Sequence, residues 1–183
     1  MAKLIRNGEY GQLELNQVAF PRDGRIEAQC ALSSDFSEDK PAENGMILAI
    51  DSVKREVKLP GENDVLFALN YTTEHMYDDR DLGSLRKFKL VPGTFYPRLG
   101  YLAVGDKFTT NAIELADADT YEEGLAAFKA VDVASKAQYF KPGTNGYWVP
   151  AESANDGKVV CQAIKKTTMP DGQPAFKLQV VKA

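Results

Sequence analysis

One stretch of the chain gathers side chains that could do chemistry. His75 is the only histidine, and Asp78, Asp79 and Asp81 follow it closely. An imidazole beside several carboxylates can ligate a divalent cation or relay a proton. The spacing, however, matches neither a calcium loop nor a zinc pattern. The same residues read as a solvated acidic turn, and that plainer reading is the expectation, with no metal ion bound.

Other reactive constellations are absent. No glycine-rich loop ends in Lys-Ser or Lys-Thr, and no nucleophile elbow is present. Cys30 and Cys161 lie far apart, without a local partner. They read as two small buried thiols rather than a disulfide framework or a metal pair. The 26 Asp and Glu residues could supply a distant carboxylate pair almost anywhere, so their number carries no information about glycoside hydrolysis. The expectation is a protein that binds rather than catalyses and that needs no cofactor.

The bulk composition narrows the class further. With 183 residues, 44% hydrophobic and 26% charged, the chain can bury a sizeable core. The net charge of −4, with no dense run of Lys and Arg, speaks against a general nucleic-acid binder. The first ten residues, MAKLIRNGEY, lack the apolar stretch of a signal peptide, and no apolar run approaches a membrane span. The protein is expected to be made and used in a cytosol, with neither nucleic acid nor membrane as partner.

The elements that would position any site are mostly short strands. Residues 46–50 form an apolar run opened by Gly45 and closed by Asp51. Val57 and Leu59 then alternate with Glu56 and Lys58, the signature of a half-buried strand. Residues 65–69 read as another buried strand. Near the C-terminus, Met169-Pro170-Asp171-Gly172-Gln173 separates strands at 158–168 and 174–181, a strong hairpin signal. Phe176, Leu178 and Val180 should face one way, with Lys177, Gln179 and Val181 facing the other. A second hairpin is expected over 139–148, where aromatic pairs flank Pro142-Gly143 and Asn145-Gly146. One short helix is predicted over about 121–130. Thr120 and Glu123 form a capping box there, and Tyr121, Leu125 and Phe128 share one face.

The predicted fold is therefore mainly β, either a small antiparallel barrel (or β-tulip) or a sandwich. Residues 1–40 read as an extended N-terminal arm and linker, and residues 33–43 as a polar connection without core-forming content. Residues 41–183 form a single β domain in which 112–155 is an insertion or an elaborated connection.

The order of segments resembles that of tailed-phage head-decoration proteins. The resembling pieces are Asn44-Gly45-Met46-Ile47-Leu48-Ala49-Ile50-Asp51, then Val57-Lys58-Leu59, then Val65-Leu66-Phe67-Ala68-Leu69-Asn70-Tyr71. Residues 101–111, with Val104-Gly105-Asp106 as a turn, and the closing hairpin complete the likeness, which spans 44–111 and 156–182. The resemblance implies a non-enzymatic virion protein made in the bacterial cytoplasm. It would sit on the outer capsid surface, bind the major capsid protein of the same phage as a homotrimer and stabilise the lattice. It also implies an N-terminal arm that orders on contact and adds a strand to its partner.

Exposure logic then selects the binding residues: Leu4, Ile5 and Tyr10 in the arm, with Tyr147 and Trp148 at the hairpin. Tyr147 and Trp148 have an alternative place in the hairpin core. Two further roles stay open: another phage structural β protein (a head-fibre base, minor capsid or tail component), or a carbohydrate-binding sandwich with Tyr147 and Trp148 as the platform.

Overall fold

The computed structural model describes residues 4–7, 10–72, 87–115 and 120–183. The cluster of His75, Asp78, Asp79 and Asp81 lies outside the described residues. The elements run β1 (Leu13–Gln17), α1 (Phe20–Asp23), β2 (Ile26–Glu27), β3 (Ala31–Leu32), β4 (Ile47–Asp51), β5 (Glu56–Lys58) and β6 (Phe67–Asn70). They continue with β7 (Leu99–Gly100), β8 (Lys107–Thr110), α2 (Tyr121–Ala130), β9 (Gln138–Pro142), β10 (Trp148–Ala151), β11 (Val160–Thr168) and β12 (Pro174–Lys182).

The strands form two six-stranded sheets, ordered β1-β8-β12-β11-β9-β10 and β2-β7-β6-β4-β5-β3. The molecule is thus mainly β and sandwich-like. The first sheet curves until Trp148 meets Ile113, just beyond β8, through one parallel bridge. A single bridge is not a ladder, so the sheet is not a closed barrel.

Local chemistry explains the regular elements. In the C-terminal hairpin, Gly172 takes the left-handed conformation (φ 85°) that the turn requires. Its N–H donates to Met169 O at 2.9 Å, and Met169 N donates to Gln173 O at 2.8 Å. Phe176, Leu178 and Val180 are fully buried, while Lys177, Gln179 and Val181 stay half-exposed, as the alternation predicts.

Helix α2 carries the predicted capping box, with both Thr120–Glu123 bonds at 3.3 Å. Phe128 meets Phe176 edge-on at 4.9 Å. Lys166 Nζ donates to the carbonyls of Phe128 and Lys129, at the end where orphan acceptors and the dipole favour a cation. Gly124 lowers intrinsic helix stability, but a Cβ there would lie 2.7 Å from Leu4 O. The helix needs that glycine because the N-terminal segment crosses against it.

Strand β4 explains why residues 46–50 read as an unbroken apolar run. Ile47 faces the core between the sheets, whereas Leu48 and Ile50 face a second core. A strand buried on both faces has no polar side to show. The neighbouring strand begins later than its sequence implies: β6 starts at Phe67, and Val65 and Leu66 are exposed in the approach to it.

Two expectations need correction. Residues 33–43 are not a coreless linker, because Phe36 and Ala42 are buried in the second core. Ala42 and Leu90 also exchange backbone hydrogen bonds of 2.8 Å in both directions. Nor does the N-terminal segment stand away as an arm. Leu4 bridges Glu114, Ile5 N donates to Ile113 O at 3.2 Å, and β1 pairs antiparallel with β8. In both cases two or three apolar side chains, spaced by polar ones, find partners far along the chain. Cys30 and Cys161 are free and buried.

Candidate functional site

The structure gathers several of the expected binding residues into one region, but mostly in the interior. Leu4 is 7% exposed, and Ile5 and Trp148 are 0% exposed. Trp148 opens the edge strand β10 with its ring turned into the gap between the sheets. Its Nε1 donates to Gly45 O at 3.0 Å, and its ring lies 5.7 Å from Phe108. All three are core residues: this corrects the reading of Leu4 and Ile5 as free anchors, and of the two places open to Trp148 it takes the core one. With Trp148 enclosed, Tyr147 and Trp148 do not form a sugar platform. Tyr10 and Tyr147 are half-buried; Lys89 Nζ lies 5.6 Å from the Tyr10 ring centre.

Around Tyr147 and Trp148 lies a buried polar clamp, centred on Glu43. Arg6 Nη1 stands 2.6 Å from Glu43 Oε2, and both side chains are 4% exposed. The two groups form a buried ion pair. Gly11 N donates to the same Oε2 at 2.7 Å, and Tyr147 OH donates to Oε1 at 2.7 Å. The Arg6 guanidinium also lies over the Tyr147 ring, 5.5 Å from its centre. Asn70 Nδ2 completes the fastening by donating to Glu43 O at 2.8 Å.

The same segment is held further along. Asn7 N donates to Gln173 Oε1 at 2.9 Å. Gln12 N donates to Asn111 Oδ1 and Gln12 Nε2 to Asp171 Oδ2, each at 2.7 Å. Gly45 is needed for close approach, since a Cβ at its position would overlap Thr110 Oγ1, and its φ of 84° already disfavours side chains. The clamp and these bonds tie Arg6, Asn7, Gly11 and Gln12 to both sheets. Its polar atoms contact one another, so it fastens the fold.

Burial pulls the Arg6 pKa down, but Glu43 and then Tyr147 outweigh it, and the net direction is upward. Burial pushes the Tyr147 phenol well up, and the Glu43 carboxylate raises it further. The folded protein thus keeps a proton that the unfolded chain releases near pH 10. Above that pH the unfolded state binds fewer protons, so stability falls as pH rises. In an ultraviolet difference titration, one of the eight tyrosines should ionise only as the protein unfolds. Tyr147→Phe should abolish that step. A phenol that titrates together with the exposed tyrosines would contradict the clamp.

Among the described residues, the most exposed aromatic side chains lie elsewhere. Phe95 is 71% exposed and Tyr96 is 60% exposed, side by side in the loop Val91-Pro92-Gly93-Thr94-Phe95-Tyr96-Pro97. Gly93 supplies the positive φ of a tight turn (84°). Thr94 fastens that turn twice, through N at 3.3 Å and Oγ1 at 2.7 Å, both to Val91 O. Pro92 and Pro97 fix φ on either side. Two aromatic rings are thus held in water on a braced loop, the form that interface anchors take. The sequence did carry a signal for them, because adjacent aromatics between a Pro-Gly turn and a second proline are not a core pattern.

A cleft of about 360 Å³ lies where β9 meets the approach to β6, lined in part by Pro60, Phe67, Pro142, Lys141 and Lys158. Its cations are engaged within the protein. Lys141 pairs with Asp156 at 2.8 Å, and Lys158 Nζ donates to the carbonyls of Glu62 and Asp64. Among the described residues, no group of three or more His, Cys, Asp and Glu side chains is placed to hold a metal ion. Among the same residues, no helix is long and apolar enough to cross a membrane.

No protein-family model matches the chain, and neither a curated protein nor a solved structure matches it. The fold by itself defines a mainly β, two-sheet protein with one short helix of ten residues, α2, besides the single turn of α1.

Proposed function

We propose that the protein is a non-enzymatic accessory protein of a tailed-phage capsid. In this reading it docks on the outer surface of the major capsid protein lattice, as a homotrimer, and steadies the shell. The observation that carries the reading is the braced Phe95–Tyr96 pair. Phe95 and Tyr96 stand exposed directly after a hydrogen-bonded turn, on a scaffold whose N-terminal segment is fastened by its own clamp. The order of strands and turns along the sequence supports the same role. A lattice binder needs only modest affinity per copy, because many copies engage at once.

The test is co-sedimentation of the protein with undecorated expanded capsid shells. The wild type should bind at a fixed ratio to the capsid protein. Phe95→Ser combined with Tyr96→Ser should weaken binding at least tenfold while changing stability by no more than about 0.5 kcal/mol, as expected for exposed positions. Failure of the wild type to bind any expanded shell overturns the reading. Rings or tubes formed by the protein alone would move its role to another part of the virion.

A further inference from the structure

The outer face of the first sheet is used by neither the clamp nor the aromatic loop. Phe176, Leu178 and Val180 point into the core, so Lys177 and Gln179 point outward. Register then places their neighbours. Lys177 stands opposite Lys165 on β11 and Thr109 on β8. Gln179 stands opposite Gln162 and Lys107, and Gln162 stands opposite Tyr139.

A bulge sharpens this arrangement. Ala163 pairs with Leu178 and Lys165 pairs with Lys177, which leaves Ile164 as the extra residue. Ile164 and Lys165 thus share one partner, and Ile164 is 39% exposed. Lys165 and Lys177 face each other directly, an arrangement that costs stability. Among the described residues, none of Lys107, Lys165 and Lys177 has a carboxylate within ion-pair distance. Glu14 lies two strands from Lys177 across Thr109, roughly 9–10 Å away at ordinary strand spacing. An unneutralised cationic face around an apolar centre is conspicuous in a chain of net charge −4.

We propose that this face docks an acidic protein surface. Ile164 provides the apolar centre, Lys107, Lys165 and Lys177 pair with carboxylates around it, and the amides of Gln162 and Gln179 supply hydrogen bonds. Duplex DNA fits less well, because phosphate tracking calls for a longer basic stripe, and an apolar centre contributes nothing to it. The inference stands apart from the capsid reading.

The experiment is an amide NMR titration of the full-length protein with a random glutamate–tyrosine copolymer at low ionic strength, with duplex DNA in a parallel arm. Saturable shifts should map to Lys107, Gln162, Ile164, Lys165, Lys177 and Gln179, and added salt should reverse them. Lys165→Glu places an opposite charge across from Lys177, so its Tm should hold or rise while copolymer binding weakens at least tenfold. Ile164→Ser should weaken binding without unfolding the protein. Shifts centred elsewhere, unchanged binding by Lys165→Glu, or a large fall in its Tm would overturn the proposal. Tighter binding of DNA than of the copolymer would overturn the protein partner.

Discussion

Replacing Glu43 by alanine should destabilise the protein by about 3–5 kcal/mol, the usual cost of stranding a buried charge. Three groups lose a partner at once: the Arg6 guanidinium its counter-charge, and the Gly11 amide and the Tyr147 hydroxyl their acceptor. Urea denaturation gives the midpoint, and hydrogen exchange at Ile5 and Gly11 shows whether the N-terminal segment is released. The double replacement Arg6→Met with Glu43→Leu should recover most of the loss, since a buried ion pair adds little over a well-packed apolar pair. If Glu43→Ala costs under about 1 kcal/mol, in the range of a surface salt bridge, the pair is solvated and the clamp is not what holds Arg6 and Gly11.

Trp148→Ala should cost a similar amount, about 3–5 kcal/mol, through the cavity it leaves. The side chain is fully buried, and the backbone on both sides is committed: Trp148 N donates to Ala112 O at 3.0 Å, and Glu114 N donates to Trp148 O at 2.9 Å. Trp148→Phe keeps a ring against Phe108 but forfeits the bond to Gly45 O, leaving that buried carbonyl short of a donor, for about 1–3 kcal/mol. As the only tryptophan, Trp148 also reports directly on its surroundings. Its emission should be blue-shifted and resist acrylamide quenching. A red, readily quenched emission with an unchanged Tm would restore it as a surface platform.

Patterns with short reach were legible in the sequence. The Pro-Asp-Gly turn, the alternation through 174–181 and the Thr120–Glu123 box each involve residues a few positions apart, where spacing alone fixes geometry. The clamp was not legible, because its partners are remote: 32 positions separate Gly11 from Glu43, and 104 separate Glu43 from Tyr147. Nothing near Glu43 signals that a carboxylate there will be buried. The same limit turned Leu4 and Ile5 into apparent arm residues and 33–43 into an apparent linker. Trp148 presented a different problem. A polar turn beside an aromatic pair fits an exposed anchor or a core residue equally well, and the choice rests on which way β10 faces. Phe95 and Tyr96 were within reach of local reasoning, since the prolines that brace them are their neighbours.

The position of β12 has a consequence for how the chain acquires its structure. β12 separates β8 from β11, so among the described residues the continuous ladder between the two halves of the first sheet runs through the hairpin of residues 160–182, with the Ile113–Trp148 bridge as a single further link. Translation at 5–20 residues per second puts roughly 4–14 s between the synthesis of β8 and that of β12. Throughout that interval the edge of β8 that β12 will cover stays open, with β1 paired on its other side. Nascent chains are therefore most prone to mispair late in synthesis, and a holdase bound at that stage should improve the yield of folded protein.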